Sequence, residues 1–168
     1  MADVTAANND PGALSRAQAL ALLAPAAHLV DSHMRPDGTY AGWSGREVLV
    51  HLAVYARLVG AVLRAEAEGR QPTPVELFGR ELSDEELRLD LDDQNAAAQR
   101  EYAALDWQQA LAFWRGMHAQ VETQVARLTG AQLAAPGPAY PPTWARAHLS
   151  DSVVALCDHY RAHMTREP

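Results

Sequence analysis

The chain of 168 residues contains a single cysteine, Cys157, and little positive charge. One cysteine excludes an internal disulfide and any metal site built from several thiolates. Fourteen Lys and Arg stand against 21 Asp and Glu, which gives a formal net charge of −7, and the arginines are scattered along the chain. Because a phosphate backbone attracts clustered positive charge, nucleic acid is not an expected partner.

Long hydrophobic runs are also missing. No apolar run approaches the ~18 residues that suggest a membrane span, and the N-terminus lacks the charged-then-apolar pattern of an export leader. We therefore expect a cytoplasmic protein without a membrane partner. No stretch alternates apolar and polar residues, and no Asn-Gly turn is present, so strands are not expected. We expect residues 1–13 to form a flexible tail and residues 14–168 to form a single domain.

Capping boxes mark the expected helix starts. In this pattern the side chain of the N-cap residue accepts a hydrogen bond from the backbone N–H three residues later. The side chain of that later residue accepts one from the backbone N–H of the N-cap residue. The pairs are Ser15 and Gln18, Ser44 and Glu47, Ser83 and Glu86, and Asp106 and Gln109. The helices are expected to end near Met34, Glu68, Leu105 and Gly130, with Pro25 bending or splitting the first. A last helix is expected from Thr143 or Trp144 almost to the C-terminus. The pattern predicts an all-α bundle of four long helices, with one extra helix in the central connection.

Three histidines are candidate metal ligands. His159 and His163 are four residues apart, so on a helix they project from one face roughly 6 Å apart, and both can reach one ion. His51 lies early in its helix, and the pair lies late in theirs. They meet if the two helices are antiparallel, which the long connection 69–106 allows. All three border the apolar faces of their helices. A hydrogen-bonded core histidine is the alternative for each one alone.

Other candidate site residues have structural alternatives. His118 lies within an apolar stripe, where a hydrogen-bonded core histidine is the favoured interpretation and a pocket residue the alternative. Glu47 is one turn before the first candidate ligand and could act as a base, although its capping-box role explains it better. Tyr55 and Tyr160 are candidate pocket hydroxyls or packing residues. Cys157 is expected to be a packed residue rather than a nucleophile.

Two motifs resemble those of the DinB/YfiT-like superfamily of metal-binding four-helix bundles. The stretch 42–52, which contains His51, is similar to the family's first histidine motif, and the stretch 158–163 is similar to its C-terminal His-x3-His motif. The resemblance covers about residues 14–165. The section around Asn95 and the helix after it is similar to the ClbS/DfsB-type and mycothiol-dependent maleylpyruvate isomerase-type branches, which adds Asn95 to the pocket candidates.

The resemblance implies that His51, His159 and His163 bind zinc, nickel or a similar divalent ion in an up-down-down-up bundle that forms homodimers. Known members are thiol-dependent transferases or isomerases, or a hydrolase that disarms a genotoxin. Three neutral imidazoles leave the ion its full charge, so a coordinated water is acidified toward a pKa of ~7 and a low-molecular-weight thiol is held as thiolate. We expect a metal-dependent hydrolase or thiol S-transferase acting on a small molecule in detoxification or stress. The alternative is a non-catalytic metal- or ligand-binding bundle.

The implied topology also locates the pocket. The three histidines should lie where the second helix begins and the last helix ends. The loop 35–42 is then expected to roof the site, with an opening near Tyr40 and Trp43. The proline-rich stretch 136–142 precedes the last helix and is expected at the opposite end of the bundle.

Overall fold

The computed structural model describes residues 12–83, 85–86, 91–137 and 146–165. Within these ranges the protein has seven helices and one two-stranded hairpin, so the predicted all-α class is confirmed. Most of the tail predicted at residues 1–13 lies outside the described part of the chain. The elements in chain order are α1 (Arg16–His33), β1 (Thr39–Tyr40), β2 (Trp43–Ser44), α2 (Gly45–Ala67), α3 (Pro74–Phe78), α4 (Leu91–Glu101), α5 (Trp107–Arg127), α6 (Gly130–Ala134) and α7 (Ser150–Thr165).

Helices α1, α2 and α5 begin at the predicted capping boxes, with both halves of each box formed. Helix α2 ends at Ala67, and Gly69 follows in the left-handed conformation with a φ of +65°. Helix α1 continues through Pro25 as one helix. Pro25 is exposed, so the carbonyl that loses its hydrogen bond can be hydrated. The Ser83 box is also formed, and the described crossover helix after it, α4, begins at Leu91.

The expectation that the chain forms no strands is wrong for residues 39–44. Tyr40 pairs with Trp43 across a two-residue turn. The turn residues Ala41 and Gly42 have φ values of +52° and +87°, which is the backbone of the tight hairpin turns that favour Asn-Gly. Because alanine occupies the first turn position, the usual sequence signal is absent.

Two short helices and one helix start also differ from the prediction. Helices α3 and α6 begin at the additional capping residues Thr73 and Thr129, so α5 ends before Gly130 and α6 follows as a separate turn. The last helix begins at Ser150, whereas the sequence predicts Thr143 or Trp144, two residues outside the described part. Residues 146–149 are not helical. Their backbone makes hydrogen bonds to other segments instead. For example, the Leu149 backbone amide donates to the Ala135 carbonyl at 2.7 Å.

The four long helices α1, α2, α5 and α7 form the bundle. Helices α2 and α5 are parallel, α1 and α7 are parallel, and the two pairs run in opposite directions. The crossover 68–106 therefore returns the chain along the full bundle, and the up-down-down-up topology is confirmed. The contacts that fix these directions are Gly45 with Trp107 and Gly60 with Val121, Leu14 with Ser150 and Leu22 with Cys157, and Asp31 with Arg115 and Arg16 with Ala126.

Helix α2 is the central element of the core. Among the described residues it is the one helix long and apolar enough to span a membrane by length and composition, and 67% of its most apolar window is buried inside the bundle. Burial of this kind is typical of the core helix of a soluble protein. From α5 and α7, Trp114 and Tyr160 are the largest side chains that complete this core.

Candidate metal centre

Three imidazoles converge between the start of α2 and the end of α7. The ring centroids of His51, His159 and His163 are 4.8–4.9 Å apart in every pair. The Nε2 atoms of His51 and His159 are 2.8 Å apart. One nitrogen from each ring lies within 4.8 Å of the others, and all three side chains are half-buried. The antiparallel packing of α2 and α7 thus unites the histidines that the sequence singles out.

The donor set fits a divalent metal ion. Two nitrogens that are each about 2.0–2.1 Å from a tetrahedral zinc ion are about 3.3 Å apart. The 2.8 Å contact between Nε2 of His51 and Nε2 of His159 therefore has to open by about half an ångström to fit an ion between them. The three-histidine group could hold a metal ion, and imidazole is a ligand that suits several transition metals.

Electrostatics favour the ligating form of His51. Burial, together with the positive charge that His163 can carry, lowers the pKa of His51 to about 4, although a hydrogen bond to Asn95 opposes the shift. His51 is therefore neutral near pH 7. Neutral imidazole is the form that donates an electron pair to a metal ion.

A pocket of about 270 Å³ lies over the histidines. Its described lining combines Tyr40, Ala41, Trp43 and Asn95 with the three imidazoles. The Trp43 ring meets His51 edge to face, with centroids 5.3 Å apart. The pocket thus opens beside Tyr40 and Trp43, as predicted. The prediction for the stretch 136–142 falls largely outside the described residues.

The β1–β2 hairpin is a fixed roof over this pocket. The Tyr40 hydroxyl donates to the His33 carbonyl at 2.8 Å and accepts from the Arg35 amide at 2.9 Å. The Gly45 amide donates to the Gly38 carbonyl at 3.0 Å. These bonds tie the hairpin to the end of α1 and to the start of α2. At its tip Ala41 has a left-handed backbone, which is unfavourable for alanine. No sequence signal marked Ala41 as a pocket residue.

Helix α4 brings Asn95 into the pocket. One turn beyond Asn95, the side-chain amide of Gln99 donates to the backbone carbonyl of Glu47 at 2.8 Å. This hydrogen bond holds α4 against α2. This contact links two segments 52 residues apart in the sequence, which explains why the position of Asn95 did not follow from local pattern.

Tyr55 packs against His159 and lies outside the described pocket lining. Its ring stacks on that of His159, with centroids 4.1 Å apart and an angle of 11° between the planes. Burial raises the pKa of the Tyr55 phenol, and the charge of Arg146 and its hydrogen bond to the phenol oppose that shift. The Tyr55 hydroxyl thus faces Arg146, and the face of its ring meets His159.

Glu47 lies in its capping box. Its carboxylate accepts from the Ser44 amide at 2.8 Å and from the Ser44 hydroxyl at 2.7 Å. These bonds lower the pKa of Glu47. Glu47 is not among the described residues that line the pocket, so its geometry supports the helix start.

His118, Tyr160 and Cys157 lie in the core, outside the described pocket lining. Nδ1 of His118 and the Tyr160 hydroxyl hydrogen-bond at 3.3 Å, and Nε2 is 3.6 Å from the Glu122 carboxylate. Burial lowers the pKa of His118, although the Glu122 charge opposes it. Burial also raises the pKa of the Cys157 thiol to about 11. The structure thus places His118 as a hydrogen-bonded core residue and Cys157 as a packed one.

Residues 13–165 match the model of the DinB superfamily. No curated protein and no solved structure matches the chain significantly. The matched range includes both histidine motifs, the hairpin and all four bundle helices. The chain therefore belongs to the DinB superfamily.

Proposed function

We propose that the protein is a divalent-metal-dependent enzyme whose ion is held by His51, His159 and His163. The observation that carries this proposal is the convergence of three half-buried imidazoles on the floor of an open pocket. Structural zinc sites use four protein ligands, whereas catalytic sites use three and leave one position for water or substrate. The described residues supply three ligands, and the pocket lies on the remaining side.

A divalent ion bound there would supply Lewis acidity that lowers the pKa of a water or a thiol in the pocket. The protein itself contributes orientation of the substrate. Trp43 forms an apolar wall, and the Asn95 side chain, which also hydrogen-bonds His51, places a polar amide beside the ligands. The reaction we propose is hydrolysis of a small molecule or transfer of a low-molecular-weight thiol to a small electrophile. Zinc and nickel are the candidate ions because imidazole suits both.

An external thiol is required for the transferase reaction. Cys157 is the only cysteine of the chain. It is fully buried, and burial raises the pKa of its thiol to about 11, so it cannot supply a thiolate to the pocket. The pocket volume of about 270 Å³ is near the lower end of ordinary ligand sites, which favours a small substrate.

We further propose that the protein is cytoplasmic and forms a homodimer. We also propose that it belongs to the ClbS/DfsB-type or maleylpyruvate isomerase-type branch. The cytoplasmic location is supported by the single buried thiol, because proteins of the reducing cytoplasm keep their cysteines as free thiols. The dimer and the branch are supported by the resemblance of the sequence motifs.

The test is metal content after purification without added metal. We expect about one zinc or nickel ion per wild-type chain and its loss in His159→Ala. His28→Ala is the matched control, because His28 is exposed on α1 and outside the described pocket lining, and this variant should keep the ion. Equal metal content in both variants would contradict the ligand assignment.

Activity then separates the enzyme from the non-catalytic bundle. Metal-loaded protein should hydrolyse small esters or amides, or join a small thiol to an electrophile, and a chelator should abolish the reaction. X-ray absorption that shows the ion saturated by protein ligands alone would favour the non-catalytic bundle.

A further inference from the structure

We propose that Tyr55 and Arg146 form a clamp that orients His159 as a metal ligand. Tyr55 acts through the face of its ring, and Arg146 holds the Tyr55 hydroxyl. The inference rests on the proposed metal centre and assigns positioning roles to two residues outside the described pocket lining.

The ring geometry singles out Tyr55. It lies one turn after His51 on α2, so the same helix face supplies one ligand and the ring that packs on another. The Tyr55 and His159 rings are nearly parallel at 4.1 Å. In contrast, the three histidine rings meet one another at angles of 51–72°. Parallel stacking restricts rotation of the His159 ring about its terminal torsion, which is otherwise broad.

This restriction has a direct consequence at the coordinating atom. With its ring flat against Tyr55, His159 directs Nε2 at His51, where the two Nε2 atoms are 2.8 Å apart. In many metal sites a hydrogen bond to the second ring nitrogen fixes the orientation of a histidine ligand. Here an aromatic face provides a second means of fixing the ring.

Arg146 fixes the tyrosine in turn. Its guanidinium hydrogen-bonds the Tyr55 hydroxyl and places a positive charge beside it. Arg146 lies four residues before α7, and its carbonyl accepts from the Gly137 amide at 3.1 Å. The clamp thus joins α2, the segment before α7 and the His159 ring on α7 itself.

The clamp predicts a graded response to substitution. Tyr55→Phe keeps the aromatic face and should change metal affinity by less than about threefold. Tyr55→Leu removes the face and should weaken the affinity by about 10- to 100-fold, the range found when residues that support metal ligands are changed. Arg146→Gln removes the same hydrogen bond to the hydroxyl and keeps the ring, so it should change metal affinity about as little as Tyr55→Phe does.

Tyr102→Leu is a matched control. Tyr102 is also a half-buried tyrosine whose hydroxyl accepts from an arginine, Arg57, at 2.8 Å. It lies outside the described pocket lining. Loss of packing and of an arginine contact is therefore common to both leucine variants, whereas loss of the ring against His159 belongs to Tyr55→Leu alone.

The experiment is a titration with Co²⁺ and with Zn²⁺ in competition with a chelator, on variants whose fold is verified by circular dichroism. The Co²⁺ absorption spectrum at saturation reports ligand geometry, which a general loss of stability does not change. We expect an altered spectrum and weaker binding for Tyr55→Leu, with near wild-type values for Tyr55→Phe and Tyr102→Leu.

Wild-type affinity and an unchanged spectrum in Tyr55→Leu would overturn the clamp, and so would equal weakening in Tyr102→Leu. If wild-type protein binds neither ion, the proposed function fails together with the clamp. If wild type binds, His159→Ala does not and Tyr55→Leu behaves as wild type, only the clamp is wrong.

Discussion

Two glycine-to-alanine substitutions should change the stability of the bundle in opposite directions. Gly45 is buried at the first position of α2, and a Cβ added there would overlap the Arg35 carbonyl oxygen and lie 2.8 Å from the Trp107 ring. That carbonyl also accepts from the Gly38 amide at 3.2 Å, so it cannot move freely. Gly116 is exposed on α5, and a Cβ there meets nothing within 4 Å.

The magnitudes follow from these surroundings. Overpacking at Gly45 costs about 3 kcal/mol, and the better helix propensity of alanine offsets up to about 1 kcal/mol. Gly45→Ala should therefore lower the free energy of unfolding by about 2 kcal/mol. Gly116→Ala should raise it by about 0.5–1 kcal/mol, because only the propensity term remains. For a chain of this size the shifts in Tm are about −4 to −8 °C and about +1 to +4 °C.

Urea unfolding followed by circular dichroism measures both effects. The slope m should be unchanged in both variants, because neither alters the surface exposed on unfolding. A stabilised Gly45→Ala protein would refute the close packing between the start of α2, the end of α1 and α5. A destabilised Gly116→Ala protein would refute the exposed, unobstructed position of that residue.

Two further substitutions test the core and the helix start. Tyr160→Phe removes the hydroxyl that hydrogen-bonds buried His118, so we expect a loss of about 1–3 kcal/mol in urea unfolding, and metal content should stay unchanged. Glu47→Ala removes one half of the α2 capping box and should destabilise the protein by about 1 kcal/mol near pH 7. Because the Ser44 bonds lower the pKa of Glu47 from 4.5, the wild-type advantage should be complete above that pH and disappear as the pH falls through the lowered pKa; a difference independent of pH would contradict the charged cap.

The sequence predicts the features that depend on one helix at a time. The capping boxes at Ser15, Ser44 and Asp106 locate three bundle helices because their hydrogen bonds join residues three apart. The i, i+4 spacing of His159 and His163 determines a shared face for the same reason. The length of the crossover allows antiparallel contact between α2 and α7, and the 2.8 Å approach of His51 to His159 agrees with that arrangement.

The remaining features depend on partners that are distant in sequence or on weak local signals. The hairpin turn uses Ala41 where asparagine or glycine is usual, so the turn is set by its surroundings, including the Tyr40 hydroxyl bonds to the end of α1. The start of α7 is delayed because Leu149 bonds Ala135 instead of continuing a helix toward the N-terminus. Neither the hairpin turn nor the late start of α7 can be recognised from a window of a few residues, because both depend on hydrogen bonds to other segments.

The crossover determines both the topology and the composition of the pocket. It returns the chain to the end of the bundle where α2 begins, so α5 runs parallel to α2. Helix α7 then runs antiparallel to both, which brings its histidine pair to His51. Two hydrogen bonds also hold the crossover against α2. The side-chain amide of Gln99 donates to the Glu47 carbonyl, and the Tyr102 hydroxyl accepts from Arg57. The first of these contacts places Asn95 beside His51. A crossover of the same length without these anchors would preserve the three-histidine group but would lose a pocket wall, so the histidine group and this wall are separable by mutation.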